Sequence, residues 1–276
     1  MSAFLEEMAA GSRARVRVAL ARRSLTSLES AARLTPAPPP LELDPSGFDL
    51  IAEMKLRSPA AGDLRPAGED VAARVSSYAR AGAAAVSVLT EPTRFDGSLE
   101  HLTEAARVLA PVGVPAMRKD FLVDPYQVFE ARAAGAGGVL VILRMLPKED
   151  IRALVDCAAA LGLFVLLEAF DARDIELMHE LIDVRHGAAR LLAGVNCRDL
   201  TTLEVVPARL LELAPLLPAK APRVAESGVA VPEDARAIAA AGYSLALVGS
   251  ALMRGDDPQV LAASLLRAGR AARAAH

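Results

Sequence analysis

Cysteine is scarce in this sequence: Cys157 and Cys197 are the only two among 276 residues. They stand far apart and in no metal-ligand spacing, and four scattered histidines supply none either. A zinc site and a disulfide framework are therefore not expected. Such cysteine usage suits a reduced, cytoplasmic setting. Long apolar runs are missing as well. The N-terminal stretch MSAFLEEMAAGSRARVRVALARR carries acids early and interleaves arginine with apolar residues, which a signal peptide does not. No segment approaches the roughly 20 apolar residues that cross a bilayer, so no membrane partner is expected. Nor is either charge in large excess: 31 Lys and Arg face 34 Asp and Glu, a formal net charge of -3. Nucleic acid, which favours a strongly basic face, is not expected as a partner. A small anionic substrate stays compatible, because a local pocket of Lys and Arg can sit within an acidic total.

What the chain has in quantity is hydrophobic residues, 53% of the total, set in a recurring phrase. A helical segment ends in Ala-Gly or Leu-Gly and is followed by a short apolar run. The phrase occurs as YARAGAAAVSVLT, EARAAGAGGVLVIL, CAAALGLFVLLEAF and IAAAGYSLALVGS. Glycine after a helix takes the left-handed conformation without steric cost, and the turn then feeds a strand. Continuous rather than alternating apolar strands imply burial on both faces, as in a parallel sheet. Eight candidate strands result: FDLIAEM, AVSVLT, VPAMR, GVLVIL, FVLLEA, LLAGVN, RVAES and LALVG. Helical stretches separate them, and DDPQVLAASLLRAGRAARAA closes the chain. Strict alternation over this length predicts an α/β fold, a (β/α)8 TIM barrel over residues 46–276. An open doubly wound sheet fits less well, since KLRSPAAGDLRP after the first strand is no dinucleotide turn. Residues 1–45 form an N-terminal helical extension with the stiff linker LTPAPPPLELDP. That extension could cap the barrel bottom, trail as a tail, or help to cover the active-site face.

In such a barrel the site is built at the C-terminal ends of the strands. Standing there are Glu53, Lys55 and Ser58, then Thr90, Lys119, Arg144, Glu168, Asn196 and Arg198, then Glu226, Ser227, Gly249 and Ser250. Any one could be a solvated strand end. Two lysines and three glutamates on strands that are otherwise apolar point instead to a catalytic cluster, since buried charges must be paired. In the charged run Arg118-Lys119-Asp120, the strand is expected to aim Lys119 into the barrel mouth. AESG and VGSAL place small residues after the last two strands, where barrels commonly seat phosphate.

These motifs are recognisable as a series. IAEMKLRSPAAG, SVLTEPTRFDGSLEHL, RKDFLVDPYQVFEARAAGA, VLLEAF, GVNCRDLTTLEV and VAESGV closely resemble, in order, those of the indole-3-glycerol-phosphate synthase family of tryptophan biosynthesis. The resemblance covers nearly the whole chain. It implies ring closure of 1-(2-carboxyphenylamino)-1-deoxyribulose 5-phosphate with loss of CO2 and water, without cofactor or metal. By matching position it implies Lys119 as general acid and Glu168 as the carboxylate that moves protons. Lys55 binds substrate or acts as an acid in dehydration. Glu53 pairs with Lys119, and Asn196 orients Glu168 or a substrate hydroxyl. Glu226 and Ser227 complete the polar ring. Lys55, Ser227, Gly228, Gly249 and Ser250 match the phosphate cradle. Phe95, Phe121 and Leu200 resemble walls for the aromatic ring, with Ser58 and Arg198 as polar neighbours.

Four positions depart from the family: Leu56, Ala60, Arg144 and Cys197. Arg144 stands where many members carry a small apolar residue, and either narrows the ring pocket or pairs with a carboxylate. Cys197 is expected to face outward and be inert. Two other readings stay open. One is another phosphate-binding barrel such as phosphoribosylanthranilate isomerase, which needs a Cys or Asp acid/base pair. The other is a silent or specialised paralogue. As to partners, a phosphorylated small molecule is expected, with the chain a monomer or weak homodimer; docking of other tryptophan-pathway enzymes is left open.

Overall fold

Val, Leu, Ile and Ala fill eight strands whose residues are almost all buried: β1 Asp49–Met54, β2 Ala85–Leu89, β3 Ala116–Lys119, β4 Gly138–Ile142, β5 Phe164–Ala169, β6 Leu191–Asn196, β7 Arg223–Glu226 and β8 Leu245–Val248. The computed structural model describes residues 2–60, 62–64, 70–184 and 190–274. Every neighbouring pair is parallel, and β1 pairs with both β2 and β8, so the sheet closes into a (β/α)8 barrel. All eight expected strands are present. The third begins two residues later than VPAMR and runs one further, which makes Lys119 its last residue.

Helices alternate with the strands and pack around them. Asp70, Ser98, Asp124 and Asp257 cap four of them by accepting a backbone N–H in the first turn. The four glycines of the repeated phrase, Gly82, Gly135, Gly162 and Gly242, have φ between 71° and 97°, the left-handed turn that the pattern predicts. Helix ARLLELAPLL divides into Ala208–Leu213 and a 3-10 turn, Ala214–Leu216, because Pro215 lacks the N–H that would continue the ladder. The loop after β1 folds into a small hairpin, Arg57–Ser58 against Gly62–Asp63, too short to leave a strand pattern in the sequence. Glu69, first residue of the expected helical stretch EDVAARVSSYARAG, Ala275 of the closing stretch, and Ala61 of the KLRSPAAG loop lie outside the described residues.

The N-terminal extension touches both ends of the barrel. Its first helix, Ala3–Arg22, buries Leu5, Met8 and Ala9 in the same core as the strands. Ser12 donates to the Phe121 carbonyl just beyond β3, on the C-terminal face. A second helix, Leu25–Leu34, leads to the Pro-rich linker, which crosses beneath the opposite face. There Pro39 lies against Gly137 and the Leu41 carbonyl accepts from Arg190, both at strand beginnings. The last helix, Pro258–Arg273, packs Gly269 on the Phe48 ring and ties Arg270 to Phe48 O and Asp49 beside β1.

Candidate active site

Side chains inside a small parallel barrel form layers of four, each drawn from alternate strands. Here the uppermost layer comes from β1, β3, β5 and β7, and its members are Glu53, Lys119, Glu168 and Glu226. Lys119 Nζ lies 3.9 Å from Glu53, 3.7 Å from Glu168 and 3.8 Å from Glu226. The packing that fills lower layers with Leu and Val thus brings one ammonium among three carboxyl groups, all three buried. Lys55, two residues after Glu53 and just beyond β1, pairs with it at 2.6 Å. Glu53 pairs with Lys119 as expected, but Lys55 is its closer partner, and Lys119 is shared almost equally among three acids. The reason is geometric: Lys119 sits at the centre of its layer, whereas Lys55 and Glu53 share a strand end.

Burial would lower the Lys119 pKa, but Glu168, Glu226 and Glu53 outweigh it and raise the ammonium above the ordinary lysine range. For Glu53, burial works upward and is overcome by Lys55 and Lys119, which hold the carboxyl below its usual range. Glu226 goes the other way. Burial first, and then the charge of Glu168, push it well above the usual range, and neither of its oxygens has a hydrogen-bond partner among the described residues. In one layer, then, the surroundings favour the charged form of the lysine and the protonated form of one carboxyl. Room for these groups comes from two glycines. A methyl at Gly194 would overlap Glu226 Oε1, and one at Gly249 would overlap Glu53 Oε1 and crowd Lys55 Nζ.

Asn196, ending β6, donates from Nδ2 to Glu168 Oε1 at 2.8 Å. Its Oδ1 accepts from Ser227 Oγ at 2.9 Å and from the Arg198 N–H at 2.9 Å. The Arg198 N–H, which can only donate, settles which way the amide points. Arg198 itself anchors the following loop through the Leu203 carbonyl at 2.6 Å.

A cavity of about 390 Å³ opens above this layer. Of the residues singled out from the sequence, Thr90 and Arg144 stay off its wall, and the others line it: Glu53, Lys55, Ser58, Phe95, Lys119, Phe121, Glu168, Asn196, Arg198, Leu200, Glu226, Ser227, Gly228, Gly249 and Ser250. Phe121 meets Phe95 with ring centroids 6.1 Å apart and Phe4 edge-on at 5.8 Å. Phe4, Leu5 and Phe170 also line the cavity and were not anticipated. Phe170 follows the FVLLEA strand by one residue and could have been found by extending the strand-end rule. Phe4 and Leu5 carry no such signal, because only the docking of the first helix brings them there. Thr90 leaves the mouth and joins a buried network instead, with Asp120 at 2.7 Å and Arg118 at 3.1 Å. Among the described residues no group of three or more His, Cys, Asp or Glu is arranged to hold a metal ion.

Cys197 corrects an expectation. It does not face outward to solvent but is fully buried, its Sγ against Gly228. In a parallel barrel the direction away from the axis leads into the helical layer, not into water. Burial pushes its thiol up to about 11, so it remains protonated. Arg144 resolves toward the second of its two expected fates and pairs with carboxylates, Asp171 and Asp174.

A closed parallel barrel with paired acids and lysines at its C-terminal mouth defines the class: a (β/α)8 barrel of the enzyme type, with its polar cluster where such barrels build their sites. A sequence model described as indole-3-glycerol phosphate synthase matches residues 5–265. The chain belongs to the indole-3-glycerol phosphate synthase family, whose members are carboxy-lyases. Relatives of that name include one from Kineococcus radiotolerans, 42% identical over 90% of both chains. Another, from a Nocardioides species, is 44% identical over 92% of this chain and 95% of its own. Among solved structures the barrel resembles 3-hexulose-6-phosphate synthase from Salmonella typhimurium, with a TM-score of 0.62. That match has 15% identity over 80% of this chain and 98% of the other, a likeness of fold alone. No helix among the described residues is long and apolar enough to cross a membrane.

Proposed function

We propose that the buried lysine–carboxylate layer converts 1-(2-carboxyphenylamino)-1-deoxyribulose 5-phosphate into indole-3-glycerol phosphate. The observation that carries this reading is Lys119, within 3.9 Å of three buried carboxyl groups at the floor of the cavity. Ring closure requires a weakly nucleophilic aromatic carbon to attack a ketone. Lys119 donates a proton to the ketone oxygen as the new carbon–carbon bond forms, so charge never builds up on that oxygen. The carboxylate on the attacking carbon then departs as CO2, and its bonding pair restores the aromatic ring. Phe95, Phe121 and Leu200 supply the apolar walls that this step favours. In dehydration the new hydroxyl leaves as water with a proton from Lys55. Glu168 takes a proton from the carbon beside the ring nitrogen, completing the indole double bond.

Ser227, Gly228, Gly249 and Ser250 seat the phosphate, and Lys55, packed against Gly249, lies beside that seat. Ser58 and Arg198 bind the polar chain between ring and phosphate. The extension of residues 1–45 and the barrel act as one catalytic unit, because Phe4 and Leu5 complete the cavity wall. We place the activity in the cytoplasm, in keeping with two buried or half-buried free thiols.

Lys119→Met tests the reading. Formation of indole-3-glycerol phosphate, followed by its indole fluorescence, is expected to vanish while the far-ultraviolet dichroism of the barrel stays intact. Ordinary turnover by that variant would refute the assignment.

A further inference from the structure

Arg144 lies two residues beyond β4, outside the lysine–carboxylate layer, yet it is bound to the segment that carries Glu168. Its Nε donates to Asp174 Oδ2 at 2.8 Å, and its Nη2 reaches Asp174 Oδ2 at 2.6 Å and Asp171 Oδ2 at 2.5 Å. The same Asp174 oxygen accepts the backbone N–H of Phe170 at 2.8 Å. Asp171 Oδ1 in turn accepts the Asp174 N–H at 3.1 Å, which closes the turn between β5 and its helix. The guanidinium carbon sits 4.8 Å from the centroid of the Phe170 ring, and that ring lines the cavity. One residue earlier, the Leu143 N–H donates to the Glu168 carbonyl at 3.1 Å. The pair Leu143-Arg144 therefore grips the Glu168–Phe170 segment twice, once by backbone and once through Asp174 and the ring.

An exposed ion pair would carry little weight. This one is different at its inner end, where the Asp174 side chain is 7% exposed against 56% for Asp171. Burial pushes the Asp174 carboxyl upward, and the Arg144 guanidinium opposes that shift. The flat, forked guanidinium also meets two carboxylates and an aromatic face at once, which a lysine ammonium cannot do.

We propose that Arg144 is a positioning residue: through Asp174 and Phe170 it fixes the end of β5, so that Glu168 keeps its hydrogen bond to Asn196 and its place beside Lys119. The proposal rests on the reading of Glu168 as the base. It predicts that loosening a group remote from the substrate lowers the rate of chemistry more than it weakens binding.

The experiment uses the full-length protein with Arg144→Met, Arg144→Lys, Asp174→Asn and the Arg144→Met/Asp174→Asn double variant, alongside Glu168→Gln. Arg144→Met is expected to lower kcat about tenfold with KM changed much less, since misplacement of a reacting group by under an ångström has effects of this order. Arg144→Lys should recover part of that loss. The double variant should be no slower than the slower single one, because the two side chains act as one unit. A normal kcat in Arg144→Met, with only the melting temperature reduced, would overturn the proposal, as would full additivity in the double variant. If Arg144→Met fails to fold, Arg144→Lys and Asp174→Asn make the same comparison of kcat with KM. Glu168→Gln separates the two readings. Normal turnover in that variant removes the base assignment and this proposal with it, whereas an inactive Glu168→Gln beside a normal Arg144→Met removes this proposal alone.

Discussion

Ser227 holds a left-handed backbone, φ 68°, which a residue with a side chain adopts only at a cost of about 1 kcal/mol or more. The site gains from that strain a hydroxyl aimed at Asn196 Oδ1, which leaves the amide nitrogen to hold Glu168. Ser227→Gly loses the hydroxyl but relaxes the backbone, while Ser227→Ala loses the hydroxyl and keeps the strain. In urea denaturation the Gly variant should therefore be the more stable by about 1 kcal/mol, with kcat reduced in both. Glu226 makes a different prediction. Its pKa is raised in the fold, so the folded state binds more protons than the unfolded chain from the ordinary glutamate range up to the raised value. Stability must then fall as pH rises through that window, by as much as about 1.4 kcal/mol per pH unit. Glu226→Gln should flatten this slope above the ordinary glutamate range in denaturation experiments.

Among the elements, the first helix contributes most that a barrel alone lacks. It brings Phe4 and Leu5 to the cavity and Arg15 to a buried polar network behind Lys119. Arg15 contacts Asp120 at 2.6 Å and Glu91 at 3.2 Å. Asp120 also holds Arg118 at 3.0 Å. Burial tends to raise the Asp120 pKa, and Arg118 and Arg15 overcome it. The run Arg118-Lys119-Asp120 is thus divided by the alternation of a strand: the middle charge enters the mouth, Asp120 ties the strand to Arg15 of the first helix, and Arg118 ties it to Gln127 O and Glu130 of the helix that follows. Arg15→Met leaves a buried carboxylate one cation short and should cost about 1–3 kcal/mol of stability by chemical denaturation. Strand and helix patterns foretold nearly all these elements, since burial on both faces forces continuous apolar strands. The β1 hairpin was invisible, because two-residue strands have no periodicity to detect.

At the scale of the whole molecule, closure of the ring sets the geometry of the site. β1 meets β8 only because the chain returns after eight units, and the last helix secures that seam through Gly269 on Phe48 and Arg270 on Asp49. Gly269→Ala drives a methyl into the Phe48 ring and should destabilise by about 1–3 kcal/mol, the usual range for overpacking. Because the seam lies at the far end of the barrel from the cavity, KM and kcat of the folded variant should stay unchanged; thermal melting and steady-state kinetics check the two halves of this prediction. Site residues from different strands were legible as a set, since strand ends are where this fold exposes polar side chains. Their distances were less so: Glu53 does pair with Lys119, at 3.9 Å, but Lys55 stands closer to it, at 2.6 Å.

Taken by itself, the order of residues determined the alternation of strand and helix, the identity of the polar groups at the strand ends, and the family. These are local or positional properties, carried by apolar runs, helix-ending glycines and motif spacing. Only the closed barrel decided that Glu53, Lys119, Glu168 and Glu226 share one layer, that the Glu226 pKa is raised, that Cys197 is buried, that Arg144 pairs with Asp171 and Asp174, and that Phe4 reaches the cavity from the first helix. Each of those outcomes depends on distances between groups far apart in the chain. Charge coupling and burial act through space, and no pattern along a sequence records them.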